Sequence, residues 1–213
     1  MKKIFYPLFV CVALIMATVS CSVEKETPVV LSTDYLELYV GDSFPLKCNR
    51  QDVTLRSANE LIATIQNGLV RGVRVGETEI RAGGQTCKVK VYPSNTLFTE
   101  PQMLFGATKT EIKNSMSGYE LQNEKSNGLT YKGKGRVLAY AYLFTAGRMS
   151  MSALTIDPAY CNNMLDFLNE RYVLMETTQR GADYQYGFVS LDGKIAIVFD
   201  SSPTAGGMVT YSD

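Results

Sequence analysis

From residue 29 to residue 93 the chain is cut into short alternating runs: YLELYVG, SFPLKC, VTLRS, LIATIQNG, LVRGVRVG, ETEIRAGG and TCKVKVYP. No segment of helical period stands between them. Successive side chains on a strand point to opposite faces, so a run of this kind can bury only one face. A series of them separated by turn signals predicts an all-β sandwich. Asn67-Gly68, Val75-Gly76 and Gly83-Gly84 supply the turns, where glycine accepts a positive φ without a Cβ clash. The alternation sets Phe44, Leu46 and Cys48 on one inward face and Cys87, Val89 and Val91 on another.

After Pro93 the pattern changes, and the chain reads as multidomain: the sandwich, a linker over 94–107 containing Pro101, and an α+β domain over 108–213. Thr108 and Glu111 have capping-box spacing, with Ile112 and Met116 four apart, which predicts a helix over about 108–117. A second helix should begin at Asp157-Pro158, an N-cap residue followed by proline at the first helical position. Its apolar stripe is Cys161, Met164, Leu165, Leu168 and Tyr172, and Glu170 with Arg171 reads as its solvated end. Two stretches, RVLAYAYLFTAGRMSMSALTID and ADYQYGFVSLDGKIAIVFD, each read strand, tight turn, strand, with turns at Ala146-Gly147 and Asp192-Gly193. Both open on Tyr-x-Tyr-x-Phe, at Tyr140, Tyr142 and Phe144 and at Tyr184, Tyr186 and Phe188, 44 residues apart. This suggests a duplicated helix-then-strands unit of αβββ type, with the helices on one face of an antiparallel sheet and GGMVTYSD as a last strand. Tyr140, Tyr142, Tyr184 and Tyr186 are then either a platform for a glycan or protein ligand or the core beneath the helices.

The chemistry is bounded mainly by what is missing. The chain has no histidine, which removes the commonest general base and the commonest transition-metal ligand. Cys48, Cys87 and Cys161 form no C-x-x-C pair, so no metal site is expected. A Cys48–Cys87 disulfide and two packed thiols are both open readings outside the cytoplasm; Cys161 belongs to the helix stripe. Glu120, Glu124, Glu170, Glu176, Asp183, Asp192 and Asp200 fall in no catalytic motif. The reading is of a non-enzymatic protein with no cofactor. Acidic and basic residues balance at 21 each, and no basic cluster points to nucleic acid.

The first twenty residues, MKKIFYPLFVCVALIMATVS, have the charged, apolar and small-residue regions of a secretory signal. If they are removed, Lys2 and Lys3 leave with them and the remainder carries a slight acid excess. Cys21 follows Ser20 directly, and this resembles the lipobox of bacterial lipoproteins, with Thr18 where leucine is usual. The resemblance implies that Cys21 is acylated and tethers the chain to the outer membrane through residues 21–28. Acyl chains can hold a protein to a bilayer without a spanning helix. The tail SVEKE resembles the acidic signal that some Bacteroidetes use to send lipoproteins to the cell surface. Surface and periplasm-facing locations both stay open.

Two further resemblances bear on the fold. SANELIATIQNGLVRGVRVGETEIRA resembles the signature half of the bacterial immunoglobulin-like domain, group 2. Ser57, Ile62, Ala63, Thr64, Ile65, Gly68, Val70, Gly72, Val73, Gly76, Thr78 and Ile80 carry it, and LELYVGDSFPL is similar to the family's opening. Leu55 stands where the family often has tryptophan. The family implies a spacer or binding module, here a stalk. The C-terminal part is similar in general shape to the helix-plus-meander repeats of beta-lactamase inhibitory protein and of barrel-assembly lipoproteins. That likeness implies topology, and an alternative role in envelope assembly or inhibition through protein contacts.

Overall fold

The computed structural model describes residues 27–213. The signal segment, Cys21 and nearly all of the expected tether lie outside them. The fold is mostly β-sheet with few helices, and its apolar residues gather into two separate cores.

The first core lies between two small sheets, an arrangement compatible with a β-sandwich. One sheet joins β1 (Tyr35–Tyr39), β7 (Gln85–Tyr92), β6 (Gly76–Ala82) and β3 (Arg56–Ser57), with β1 parallel to β7. The other joins β2 (Ser43–Pro45), β5 (Leu69–Gly72) and β4 (Ala63–Gln66). Alternation decides what is buried: Leu36, Leu38, Val70, Ile80, Cys87, Val89 and Val91 point inward. Asn67-Gly68 and Gly83-Gly84 are two-residue turns with positive φ at both positions, as the sequence indicates. Val75-Gly76 instead lies where the chain crosses from one sheet to the other. Phe44 departs from the expected inward set: it sits on the edge strand β2 and is exposed, while Leu46 is buried.

The second core lies under an eight-stranded antiparallel sheet. Its strands are β8 (Leu121–Lys125), β9 (Gly128–Lys132), β10 (Val137–Thr145), β11 (Arg148–Ile156), β12 (Val173–Arg180), β13 (Asp183–Val189), β14 (Ala196–Ser202) and β15 (Gly206–Ser212). The spatial order is β12-β13-β14-β15-β11-β10-β9-β8. The chain therefore lays down a helix and a four-stranded meander, then a helix and a second meander, and the last strands of the two meet at the centre. Helix α1 (Lys109–Ser115) carries the predicted capping box, with the Thr108 side chain accepting from the Glu111 amide and the Glu111 carboxylate accepting from the Thr108 amide. Asp157 caps a 3-10 turn, Pro158–Tyr160, that leads into α2 (Cys161–Asn169). Met164, Phe167 and Leu168 of α2 are buried.

Several expectations need correction. The repeating unit has four strands, because β8, β9 and β12 accompany the two expected hairpins. The two Tyr-x-Tyr-x-Phe runs fall on β10, the third strand of its meander, and on β13, the second of the other, so they are not equivalent positions. Their likeness reflects a shared need for inward aromatics. The β13–β14 connection is a six-residue loop, not a tight turn. Ser190 Oγ holds it, accepting from the Lys194 and Ile195 amides and donating to Asp192.

The segment 94–107 is not a free linker. Phe98 is buried against Phe167, edge to face at 5.5 Å, and Met103, Phe105 and Ala107 pack on the same core. Glu100 Oε1 accepts from the Tyr172 hydroxyl at 2.6 Å and the Tyr211 hydroxyl at 3.2 Å. Glu170 and Arg171, expected in solvent, are each only 14 % exposed in their side chains. The Glu170 carboxylate accepts from the Ser94 and Asn95 amides at 2.9 Å, and Arg171 donates to the Asn95 and Phe167 carbonyls. Arg74 donates to the Tyr172 carbonyl and the Val75 amide to the Glu170 carbonyl, which ties the two cores together at the end of α2.

Candidate functional site

The four singled-out tyrosines do not form one platform. Tyr140 and Tyr142 are 1 % and 0 % exposed and belong to the second core. The Tyr140 hydroxyl donates to the Thr99 carbonyl at 3.0 Å. The Tyr142 hydroxyl accepts the Gln102 amide at 3.1 Å and donates to Met116 Sδ. Burial raises both phenols, Tyr142 to about 12. Tyr119 packs on Tyr140 and Tyr131 on Tyr142 edge to face, a preferred geometry for ring quadrupoles.

Tyr184 and Tyr186 lie elsewhere. Tyr184 is 37 % exposed and stacks on Tyr186 at 6.0 Å, and Tyr186 stacks on buried Phe199 at 5.8 Å. Tyr186 is half-buried, and its phenol is raised, chiefly by desolvation. Two neighbouring concavities share Tyr184. One, of about 350 Å³, runs along Pro158, Cys161, Asn162, Tyr186 and Pro203. The other, of about 570 Å³, opens on the far face of the sheet, within the size range of small-ligand sites.

The larger cleft is built by register. On β11, β15, β14, β13 and β12 the residues Thr155, Met208, Asp200, Gln185 and Thr178 are successive cross-strand partners, so they form one row across the face opposite to Phe199 and Val209. Arg180 and Asp183, paired at the β12–β13 turn, and Ser202 at the β14–β15 turn close one end, and Leu138 walls the side. Gln185 donates to Asp200 Oδ1 at 2.7 Å. Gly206 matters here, since its φ is +92° and a Cβ there would come within 2.4 Å of the Ile156 carbonyl. A glycine lets β15 start close against β11 and leaves the cleft open.

The next row on the same face is Ala141, Ala153, Thr210, Val198, Gly187 and Glu176. It is nearly all small and uncharged. The face can therefore take a ligand close to the backbone, with Arg180, Asp183, Gln185 and Asp200 as donors and acceptors; the Tyr184 ring lies on the opposite face, stacked on Tyr186. A groove of about 680 Å³ at the junction of the two cores is larger, but the Glu170 carboxylate and the Asn95 amides that line it are engaged in the internal bonds above.

Of the predicted residues, only Tyr184 borders the cleft, with its ring turned to the other face of β13, and Cys21 lies outside the described residues. The Cys48–Cys87 disulfide is not formed: both are free thiols, as is Cys161. Cys48 sits beside Leu31 in an isolated bridge, whereas Cys87 is buried in β7. Asp183 and Asp200 were visible only as unplaced carboxylates. Their convergence depends on strand register, and no local motif announces it. Among the described residues no cluster of three or more metal-ligating side chains occurs, and no helix is long and apolar enough to cross a membrane. In comparisons with known proteins the chain matches no family model, no curated protein and no solved structure.

Proposed function

We propose that this chain is a non-enzymatic cell-envelope lipoprotein, tethered to the outer membrane through Cys21 and facing the cell surface, in which an immunoglobulin-like stalk presents an α+β binding head. The reading of the stalk rests on the group 2 signature between Ser57 and Ile80 together with two sheets around one core. The head's ligand site is the cleft on the open face of the eight-stranded sheet, and its ligand class is a glycan. The observation that carries this is the composition of the cleft: Arg180, Asp183, Gln185 and Asp200 converge beside the apolar Leu138 and Met208. Sugars present paired hydroxyls that need donors and acceptors together, and C–H faces that pack on apolar side chains. The cleft offers both.

A second reading, an assembly or inhibitory protein acting through protein contacts, is favoured by Leu138, Leu143 and Met208, all well exposed on the open face. Exposed apolar side chains grouped on one face mark interaction surfaces. A glycan array probed with the full chain separates the two. The glycan reading expects binding that is lost on Asp200→Ala and on Gln185→Ala. An array that retains nothing rejects it in favour of the protein-contact reading. The tether is tested by fractionation, where Cys21→Ala should release the protein from membranes.

A further inference from the structure

The two edges of the eight-stranded sheet are built differently. At one edge β8 is five residues long and interrupted by a bulge, and Lys109 Nζ donates to the Lys125 and Ser126 carbonyls beside it at 2.7 and 3.1 Å. Glu124 there is paired with Lys113. Short length, bulges and charge are the ordinary means by which a sheet edge is kept from pairing with another chain. At the other edge β12, VLMETTQR, has eight residues with no proline, glycine or lysine, and every side chain after Val173 is exposed. Its outward N–H and C=O groups have no partner among the described residues. The bulge between Leu174 and Glu176 leaves Glu176–Arg180 as a regular stretch.

We propose that β12 pairs antiparallel with β12 of a second copy of this chain, about a twofold axis through Thr178. Residues opposite each other across an antiparallel pair must share a face, so a twofold pairing has to be centred on a residue. With Thr178 at the centre, Glu176 of each copy lies opposite Arg180 of the other, and two opposite-charge cross-strand pairs form. Centring on Thr177 sets Glu176 against Thr178 and Arg180 against Leu174. Centring on Gln179 sets Glu176 against Ala182 and Arg180 against Thr178. Neither shifted register pairs a charge. Within its own chain neither Glu176 nor Arg180 has an ion-pair partner among the described residues. Pairing about an axis normal to the sheet also keeps the two open faces on one side, so both clefts would face the same way, which favours bivalent capture.

The test is disulfide trapping of the full chain in native membranes. Thr178→Cys places a thiol on the axis, where opposed Cβ atoms are about 5 Å apart. Mild copper-catalysed oxidation by dissolved oxygen should then join two thiols into a linked dimer on a non-reducing gel. Met175→Cys, opposite Gly181 in this register, and the unsubstituted chain with its own cysteines should not give that band. Adding Arg180→Glu should abolish the band by setting like charges opposite, and further adding Glu176→Arg should restore it. Equal bands from Thr178→Cys and Met175→Cys, or a Thr178→Cys band indifferent to Arg180→Glu, would overturn the pairing. These side chains are exposed, so loss of the band would not reflect loss of the fold. The result is independent of whether the cleft binds a glycan.

Discussion

Tyr142 and Tyr184 show how far one residue type can differ in role within one sheet. Tyr142 is closed in by Tyr131, Met116 and Gln102, whereas Tyr184 stacks half-exposed on Tyr186 beside the smaller concavity. Buried phenols also set the chain's response to alkali. Desolvation is the first cause that raises Tyr140, Tyr142, Tyr172 and Tyr211, with Tyr142 at about 12. In the unfolded chain these phenols ionise near about 10. Their contribution to stability is therefore complete below about pH 10 and is lost as pH rises from there through 12. Melting followed across that range should show the midpoint falling, with tyrosinate absorbance from these residues appearing only as the chain unfolds. Smooth titration of every tyrosine near pH 10 without unfolding would refute this. Tyr184→Ala, by contrast, should leave stability nearly unchanged.

At the scale of elements, the β10–β11 hairpin was legible because its turn and its alternation agree. Ala146 and Gly147 both have positive φ, 49° and 76°, as a two-residue turn joining twisted strands requires. Alanine tolerates that region poorly, whereas asparagine enters it readily. Ala146→Asn should therefore raise stability by up to about 1 kcal/mol, read as a higher denaturant midpoint with an unchanged slope. The capping box of α1 and the Asp157-Pro158 start of the second helix were equally legible, since both are local. The strands β8, β9 and β12 were not. β8 is exposed at every position and β12 at all but the first, so neither shows hydrophobic alternation, and β9 alternates through Leu129 and Tyr131 but over only five residues; all three are strands because a neighbouring strand offers them a ladder.

At the scale of the whole molecule, the join between the two cores is a set of specific bonds and not a flexible linker. Glu170 caps the Ser94 and Asn95 amides while Arg171 stacks on Phe167 at 3.5 Å and reaches the Asn95 carbonyl. Glu170→Ala would leave both amides without their acceptor, at a cost of about 1–3 kcal/mol. Hydrogen exchange should show Ser94 and Asn95 losing protection while the centre of the eight-stranded sheet keeps its own. Unchanged exchange at those amides would mean that packing of Phe98 alone holds the join. A join of this kind would hold the two cores at a fixed attitude to each other.

The sequence by itself determined the features that are local in the chain: the alternating runs and glycine turns before Pro93, both helix starts, the β10–β11 hairpin, and the absence of histidine chemistry. Each depends on residues within a turn or two of one another, where φ preference, capping and face alternation act. Only the tertiary structure decided that 94–107 packs on the second core through Phe98, that Glu170 and Arg171 are bonded into a junction, that the two tyrosine runs are inequivalent, and that Thr155, Met208, Asp200, Gln185 and Thr178 form one row. Those facts rest on which strands are neighbours and in what register. Register is fixed by the fit of a whole buried face across the sheet, which no single stretch of the sequence contains.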